Sequence, residues 1–322
     1  HRAANIGISQ FAWSCGPAII FLLSLALSFA LPGFAADGKT LLPAGTYGPF
    51  DGLLSTRILF LVLLVVALVA WNLQRQLQES KEKRGEAAEH ESFGRMMANA
   101  LKNPVNVKTI VFLVAVYLTW NLAAGTNGQF MPYLYAAAGN LDSVGQSLLG
   151  VVQWVLVAVC SLAVFSKLGD KVPHRVLFGV SALLALASWV CIAVFGAALN
   201  NGTTDSMGWC LWAYVILWGV SAGFSAQCFY ALWGPELFPP RYRGGAQGIM
   251  FFLVRAALGI WSLVGVGAIM GDISTNPAGF FPAALIMCAV LVVSLVVGVV
   301  WCPDTQGKTL DQITEERYGK LQ

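Results

Sequence analysis

The chain has 322 residues, of which 57% are hydrophobic and 11% charged. Soluble domains carry about a quarter charged residues, so this composition excludes an ordinary soluble fold and points to a bilayer. The net charge of +3 is too small to argue for nucleic acid as a partner.

Crossing the hydrocarbon core takes about 20 mostly apolar residues per helix, and eight segments meet that demand. In chain order they are Ile6–Ala30, Ile58–Leu73, Thr109–Ala137, Val144–Phe165, Val176–Leu199, Met207–Trp233, Gly245–Met270 and Phe280–Trp301. Lipid offers backbone N–H and C=O groups no partner, so each segment is predicted to be a helix. Strands of a barrel would alternate apolar and polar residues, and these runs do not. Between the second and third segments lies a polar stretch, Gln74–Asn106, rich in Glu and Lys. Its first half reads as a solvated linker. The second half has Phe93, Met96, Met97, Ala100 and Leu101 at helical spacing, as expected of a helix lying along the membrane face.

The basic residues orient the spans. With eight spans, sixteen Lys and Arg fall on the side of the two chain ends, two on the other, and Arg255 inside the seventh span. By the positive-inside rule both ends are cytoplasmic. The seven cysteines form no C-x-x-C pair and have no histidine nearby, so neither a metal site nor a disulfide is expected and they read as small apolar residues. No cofactor is implied. Gly219 and Gly223 form G-x-x-x-G in the sixth span, a signature of close helix packing.

An internal repeat sets the architecture. Arg2, Gly7, Ile8 and Phe11 have the same spacing as Arg243, Gly248, Ile249 and Phe252, and both sets open a span from the same side. Their offset of six helices is that of two parallel six-helix halves. On this expectation residues 1–73 end an N-terminal bundle with its last two helices. Residues 74–106 link the halves, 107–302 form the C-terminal six-helix bundle and 303–322 a cytoplasmic tail. Four further spans are then expected upstream, for twelve in all.

Three loop motifs follow. They are Leu168-Gly169-Asp170-Lys171-Val172-Pro173-His174-Arg175, Pro235-Glu236-Leu237-Phe238-Pro239-Pro240-Arg241-Tyr242-Arg243-Gly244, and Pro303-Asp304-Thr305-Gln306-Gly307-Lys308-Thr309-Leu310. Together they resemble the sugar porter family of the major facilitator superfamily, whose motifs there are G-D-R-x-G-R-R, E-x-F-P-x-x-x-R-G and P-E-T-K-G-K-T-L. The resemblance covers the whole chain as helices five to twelve of that all-α polytopic fold. It departs at Val172-Pro173-His174, where the family has a more basic, glycine-containing turn, and at Asp304 and Gln306, which replace Glu and Lys. It implies that Asp170, Arg175, Glu236 and Arg243 act as a cytoplasmic gate of paired charges.

Polar groups at bilayer depth are costly and default to functional candidates. The third span carries Asn121, Gly125, Thr126, Asn127, Gln129, Pro132 and Tyr133. This stretch resembles the family's Q-Q-x-x-G-I-N segment, with Leu122 at the second Gln, and Gln10 matches a substrate-contacting Gln. Gln227, Tyr230 and Trp233 stand before the Glu236 motif. Amides and rings suit a neutral polyhydroxylated ligand; the competing reading is that they only join helices. Arg255 lies eleven residues beyond Gly244, about 16 Å along the helix, and no span carries a carboxylate. It either pairs with an acid elsewhere or meets an anionic substrate.

The leading expectation is a secondary active transporter of a monosaccharide or polyol such as inositol. It would work by alternating access, with protons as the coupling ion, as a monomer in the plasma membrane. One alternative is a carrier of small organic anions held by Arg255. Another is a non-transporting nutrient sensor, which the short tail of 21 residues after Trp301 disfavours. A membrane enzyme is the least favoured reading, because no nucleophile with a partnering base and no intramembrane His, Asp or Glu cluster is seen.

Overall fold

The computed structural model describes residues 2–35, 37–47, 52–76, 93–137, 143–202, 208–271 and 277–319. Its helices are α1 (Arg2–Ala30), α2 (Leu53–Gln76), α3 (Phe93–Lys102), α4 (Pro104–Ala137) and α5 (Ser143–Cys160), then α6 (His174–Asn200) and α7 (Trp209–Ala222). After them come α8 (Ala226–Leu237), α9 (Pro240–Ile260), α10 (Phe280–Val300) and α11 (Leu310–Tyr318). A two-residue hairpin, Gly33–Phe34 with Leu41–Leu42, follows α1. Among the described residues, eight helical stretches are long and apolar enough to cross a membrane, with α7 and α8 forming one broken span. The shortest, α10, has 21 residues, about 31 Å of helix. The eight expected spans are all present. The charged first half of the linker lies outside the described residues; α3 accounts for its second half and packs on α4 and α9.

Small residues set how closely the helices approach. The buried side of α1 is Ala3, Gly7, Ser14, Ala18, Ser24 and Ser28, and this stripe lies along α5. A methyl group at Gly7 would stand 2.7 Å from Ser166, so only glycine fits. Gly219 likewise rests on α5, where a Cβ would meet that of Leu156 at 2.9 Å. The G-x-x-x-G of the sixth span therefore packs helices together, as its spacing predicts.

The core sits among α6, α7, α8, α4 and α10. Trp189, Trp233, Tyr214, Phe178 and Phe229 are among its fully buried side chains, and Phe229 and Trp233 meet at 4.8 Å between ring centres. By contrast α2 buries only Ser55 and Leu59. Its Phe60, Leu64, Val65 and Trp71 are all more than half exposed, as befits a helix turned to lipid or to further helices.

Three irregularities place side chains rather than packing. The sixth span breaks at Gly223-Phe224-Ser225, and the Ser225 hydroxyl caps α8 by accepting from the Gln227 amide at 3.4 Å. π turns extend α5 (Ser161–Phe165) and α9 (Trp261–Gly265). Such interruptions inside long helices cluster at functional sites.

Candidate functional site: a polar cavity and a charged gate

Five predicted site residues converge on one cavity of about 170 Å³. These are Gln10 on α1, Asn121 and Asn127 on α4, Gln227 on α8 and Arg255 on α9. Helix periodicity explains the convergence on α4, since Asn121, Gly125 and Gly128 recur at three- and four-residue spacing on one face. Two of the amides already touch across the cavity, where the Gln227 Nε2 donates to the Gln10 Oε1 at 3.3 Å. Asn127 is 7% exposed and held by the Tyr214 hydroxyl, which donates to its Oδ1 at 2.6 Å. The amide NH2 of Asn127 is thereby left to orient toward the cavity. Arg255 lies with its guanidinium 5.0 Å from the Phe251 ring centre, a cation–π arrangement that partly offsets the cost of a charge at this depth.

Sequence reasoning missed the cavity's aromatic walls. Trp13, Trp120, Trp154 and Trp218 all line it. Trp13 and Trp154 meet edge to face at 5.5 Å, and Trp120 stacks on Trp218 at 5.9 Å. Gln153, 6% exposed, is a further amide in the wall. The available signal was adjacency, because Trp13 is one turn from Gln10, Trp120 precedes Asn121 and Trp154 follows Gln153.

Gln129 and Tyr133 occupy a second cavity, of about 570 Å³, which shares Asn127, Gly128, Gln153 and Trp154 with the first. Its walls come from the end of α4 and the start of α5, so it leads away from the face where α4 begins. Gln129 accepts from the Ser262 hydroxyl at 2.7 Å, and Tyr133 is about half exposed. Tyr230 lines neither cavity; it stacks on Tyr117 at 4.3 Å between ring centres. Trp233 belongs to the core, where its Nε1 donates to the His174 Nδ1 at 3.3 Å. His174 Nε2 then donates to the Gly169 carbonyl, at 3.1 Å, so both ring nitrogens of this departure from the family motif are engaged.

The opposite end is tied shut by charge. Glu236, 4% exposed at its side chain, pairs with Arg2 at 2.8 Å. The second Arg2 amino group donates to the Lys308 carbonyl. Asp170 accepts from the Ala3 and Ala4 amides at 3.2 and 3.4 Å, so it caps the start of α1. Burial pushes the Asp170 carboxyl up, while the hydrogen bonds from the Ala3 and Ala4 amides pull it down. The segment after α10 closes over the same place, with the Gln306 Nε2 donating to the carbonyls of Asp170 and Val172, both at 3.1 Å. Lys308 bridges Asp304 at 3.0 Å and Glu316 at 2.9 Å. Arg243 donates to the Phe238 carbonyl at 3.4 Å, and Arg175 stands at the start of α6. The cation that meets the motif carboxylate is thus Arg2, the repeat counterpart of Arg243.

A bundle of membrane-crossing helices with a polar cavity between them and a cluster of paired charges at one face is the arrangement of a membrane carrier. The chain belongs to the Major Facilitator Superfamily, whose family model matches residues 1–262. It is similar to the minor myo-inositol transporter IolF of Bacillus subtilis, with 32% identity over 100% of this chain and 67% of that protein. It is also similar to the facilitated trehalose transporter Tret1 of Anopheles gambiae, with 22% identity over 78% of this chain and 31% of that protein. The probable metabolite transport protein CsbC of Bacillus subtilis matches at 24% identity over 74% of this chain and 49% of its own length. The chain therefore spans between about a third and two thirds of these relatives. Its fold is the major facilitator fold, and these relatives agree with the sugar porter resemblance of its loop motifs. It is an integral membrane transport protein, not an enzyme.

Proposed function

We propose that the protein moves a neutral polyol or monosaccharide, an inositol-type cyclitol first among them, by proton-coupled alternating access in the cell membrane. The observation that carries this reading is the cavity in which five amides from four helices face four tryptophans. Amides donate to and accept from vicinal hydroxyls, while indole faces cover the C–H side of a saturated ring. IolF, which is similar over the whole of this chain, is named for myo-inositol. The described conformation is the half of the cycle closed at the basic face, which we take as cytoplasmic, with the cavity leading to the other face. Arg2–Glu236 and the Asp170 cap would hold that closure, and Arg243 and Arg175 would take up pairing as the helix ends move.

Arg255 in the cavity wall favours one second reading, a small organic anion as cargo. Counterflow in proteoliposomes, with the whole gene product that carries this chain, separates the two. Exchange of labelled myo-inositol with inert carboxylates and phosphates is the expected result. Anion exchange with inositol and hexoses inert would overturn it. Collapse of the pH gradient is expected to abolish accumulation while leaving exchange intact.

A further inference from the structure

A groove of about 560 Å³ lies where α4 begins and α10 ends, at the gated face but outside the gate. Its long wall is apolar, made by Val111, Phe112 and Ala115 of α4 with Val297 and Trp301 at the end of α10. Val111 and Trp301 are 61% and 65% exposed, so the groove opens outward, toward where lipid would stand against these two spans. One end is different. Lys108 on α4 and Arg317 on α11 meet there, and Arg317 donates to the Thr109 hydroxyl. The Arg317 Nε is buried with no acceptor, and a guanidinium donor left without a partner is costly. No Asp or Glu is among the described residues that line the groove.

We propose that this groove binds one anionic glycerophospholipid from the adjoining leaflet. An acyl chain would lie along the aliphatic wall of α4 and α10, and the phosphate would sit between Lys108 and Arg317. A phosphate can accept from the Lys108 ammonium and from the Arg317 guanidinium edge that lines the groove, and guanidinium is the cation best shaped for it. A soluble anion would use the two cations but leave the apolar wall uncovered. A zwitterionic lipid would cover the wall but bring its own cation to a site that already has two. The bound lipid would also fasten α11, which Tyr318 already ties to Asn106 at 2.6 Å and to the Leu237 carbonyl at 3.1 Å.

The test is native mass spectrometry of the whole purified gene product. Dioleoylphosphatidylglycerol, dioleoylphosphatidylcholine or inorganic phosphate is added at equal concentration. A single phosphatidylglycerol adduct, retained about twenty-fivefold over phosphatidylcholine, is expected. Each surface cation contributes about fivefold to anionic lipid binding, so Lys108→Gln should cut the adduct about fivefold and Lys108→Gln/Arg317→Gln should bring it to the phosphatidylcholine level. Ala115→Trp fills the apolar wall without altering charge and should remove the adduct as well. Equal phosphatidylglycerol retention by the wild type and Lys108→Gln overturns the proposal, as does displacement of the lipid by millimolar phosphate. Because Arg317 also holds Thr109, Lys108→Gln decides the matter if the double variant does not fold.

Discussion

The two ends of the α1 contact are built on opposite principles. At Arg2 the helix is held by full charges and backbone hydrogen bonds, with Glu236, the Lys308 carbonyl and the Asp170 carboxylate converging within one turn. At Gln10, two turns further on, a single amide–amide contact of 3.3 Å joins α1 to α8. The first end is strong and specific to one arrangement of the helices. The second is weak and neutral, and a ligand hydroxyl can replace it at little cost because amides both donate and accept. A carrier needs both, a closure that defines a state and a site whose protein–protein contacts a substrate can exchange for its own.

Breaking the strong end should have the largest effect. Arg2→Ala leaves the buried Glu236 carboxylate unpaired. Loss of a partner from a fully buried pair costs about 3–5 kcal/mol. Arg2 is about a third exposed, so solvent screening reduces this to about 1–3 kcal/mol. The closed form should lose about ten- to a hundredfold in population, read as faster thiol labelling of a cysteine introduced at Ala4. Glu236→Leu in the same background should restore part of it, since no lone charge is then buried. Unchanged labelling in Arg2→Ala would mean that the Asp170 cap and the 305–308 strap suffice.

The packing between these ends comes next. Gly219→Val puts a side chain where a Cβ alone would stand 2.9 Å from that of Leu156, and overpacking of this kind costs about 1–3 kcal/mol. A lower thermal unfolding midpoint, with substrate affinity little changed in the protein that remains folded, is expected.

The weak end should respond through affinity. Asn121→Ala removes one ligand hydrogen bond, about 0.5–1.5 kcal/mol, and should raise the KM for inositol counterflow about threefold to tenfold with little change in labelling at Ala4. Arg255→Gln sharpens the comparison, because a neutral cargo should lose less than about threefold whereas an anionic one, bound by a charge-assisted contact, should lose ten times more. The smallest effect, under about twofold, is expected of Tyr133→Ala, since that ring is half exposed in the wider second cavity and surface changes are nearly neutral.

Much of the fold was legible in the chain because lipid enforces a simple rule: every span must be a long apolar helix. Eight runs and one sixteen-to-two asymmetry of basic residues are signals that local context cannot override. The broken sixth span was less visible. Met207–Trp233 reads as one apolar run, and only the Ser225 cap on Gln227 reveals two helices. Among the residues that line the candidate cavity, Asn121, Asn127, Gln10, Gln227 and Arg255 stood out because a polar group at depth is rare. Trp13, Trp120, Trp154 and Trp218 did not, because an indole in a membrane helix is ordinary until its neighbours are known. Tyr230, a site candidate by its place near Gln227, stacks on Tyr117 and lines neither cavity.

The sequence by itself determined the class of structure, the number of spans and the loops that carry charge, since these follow from transfer free energies that add residue by residue along the chain. Only the tertiary structure decided which charges meet and which amides share a cavity. Arg2 and Glu236 are 234 positions apart and Gln10 and Gln227 are 217 apart. No local propensity couples such pairs; they are joined by how closely the small face of α1 lets it approach its neighbours.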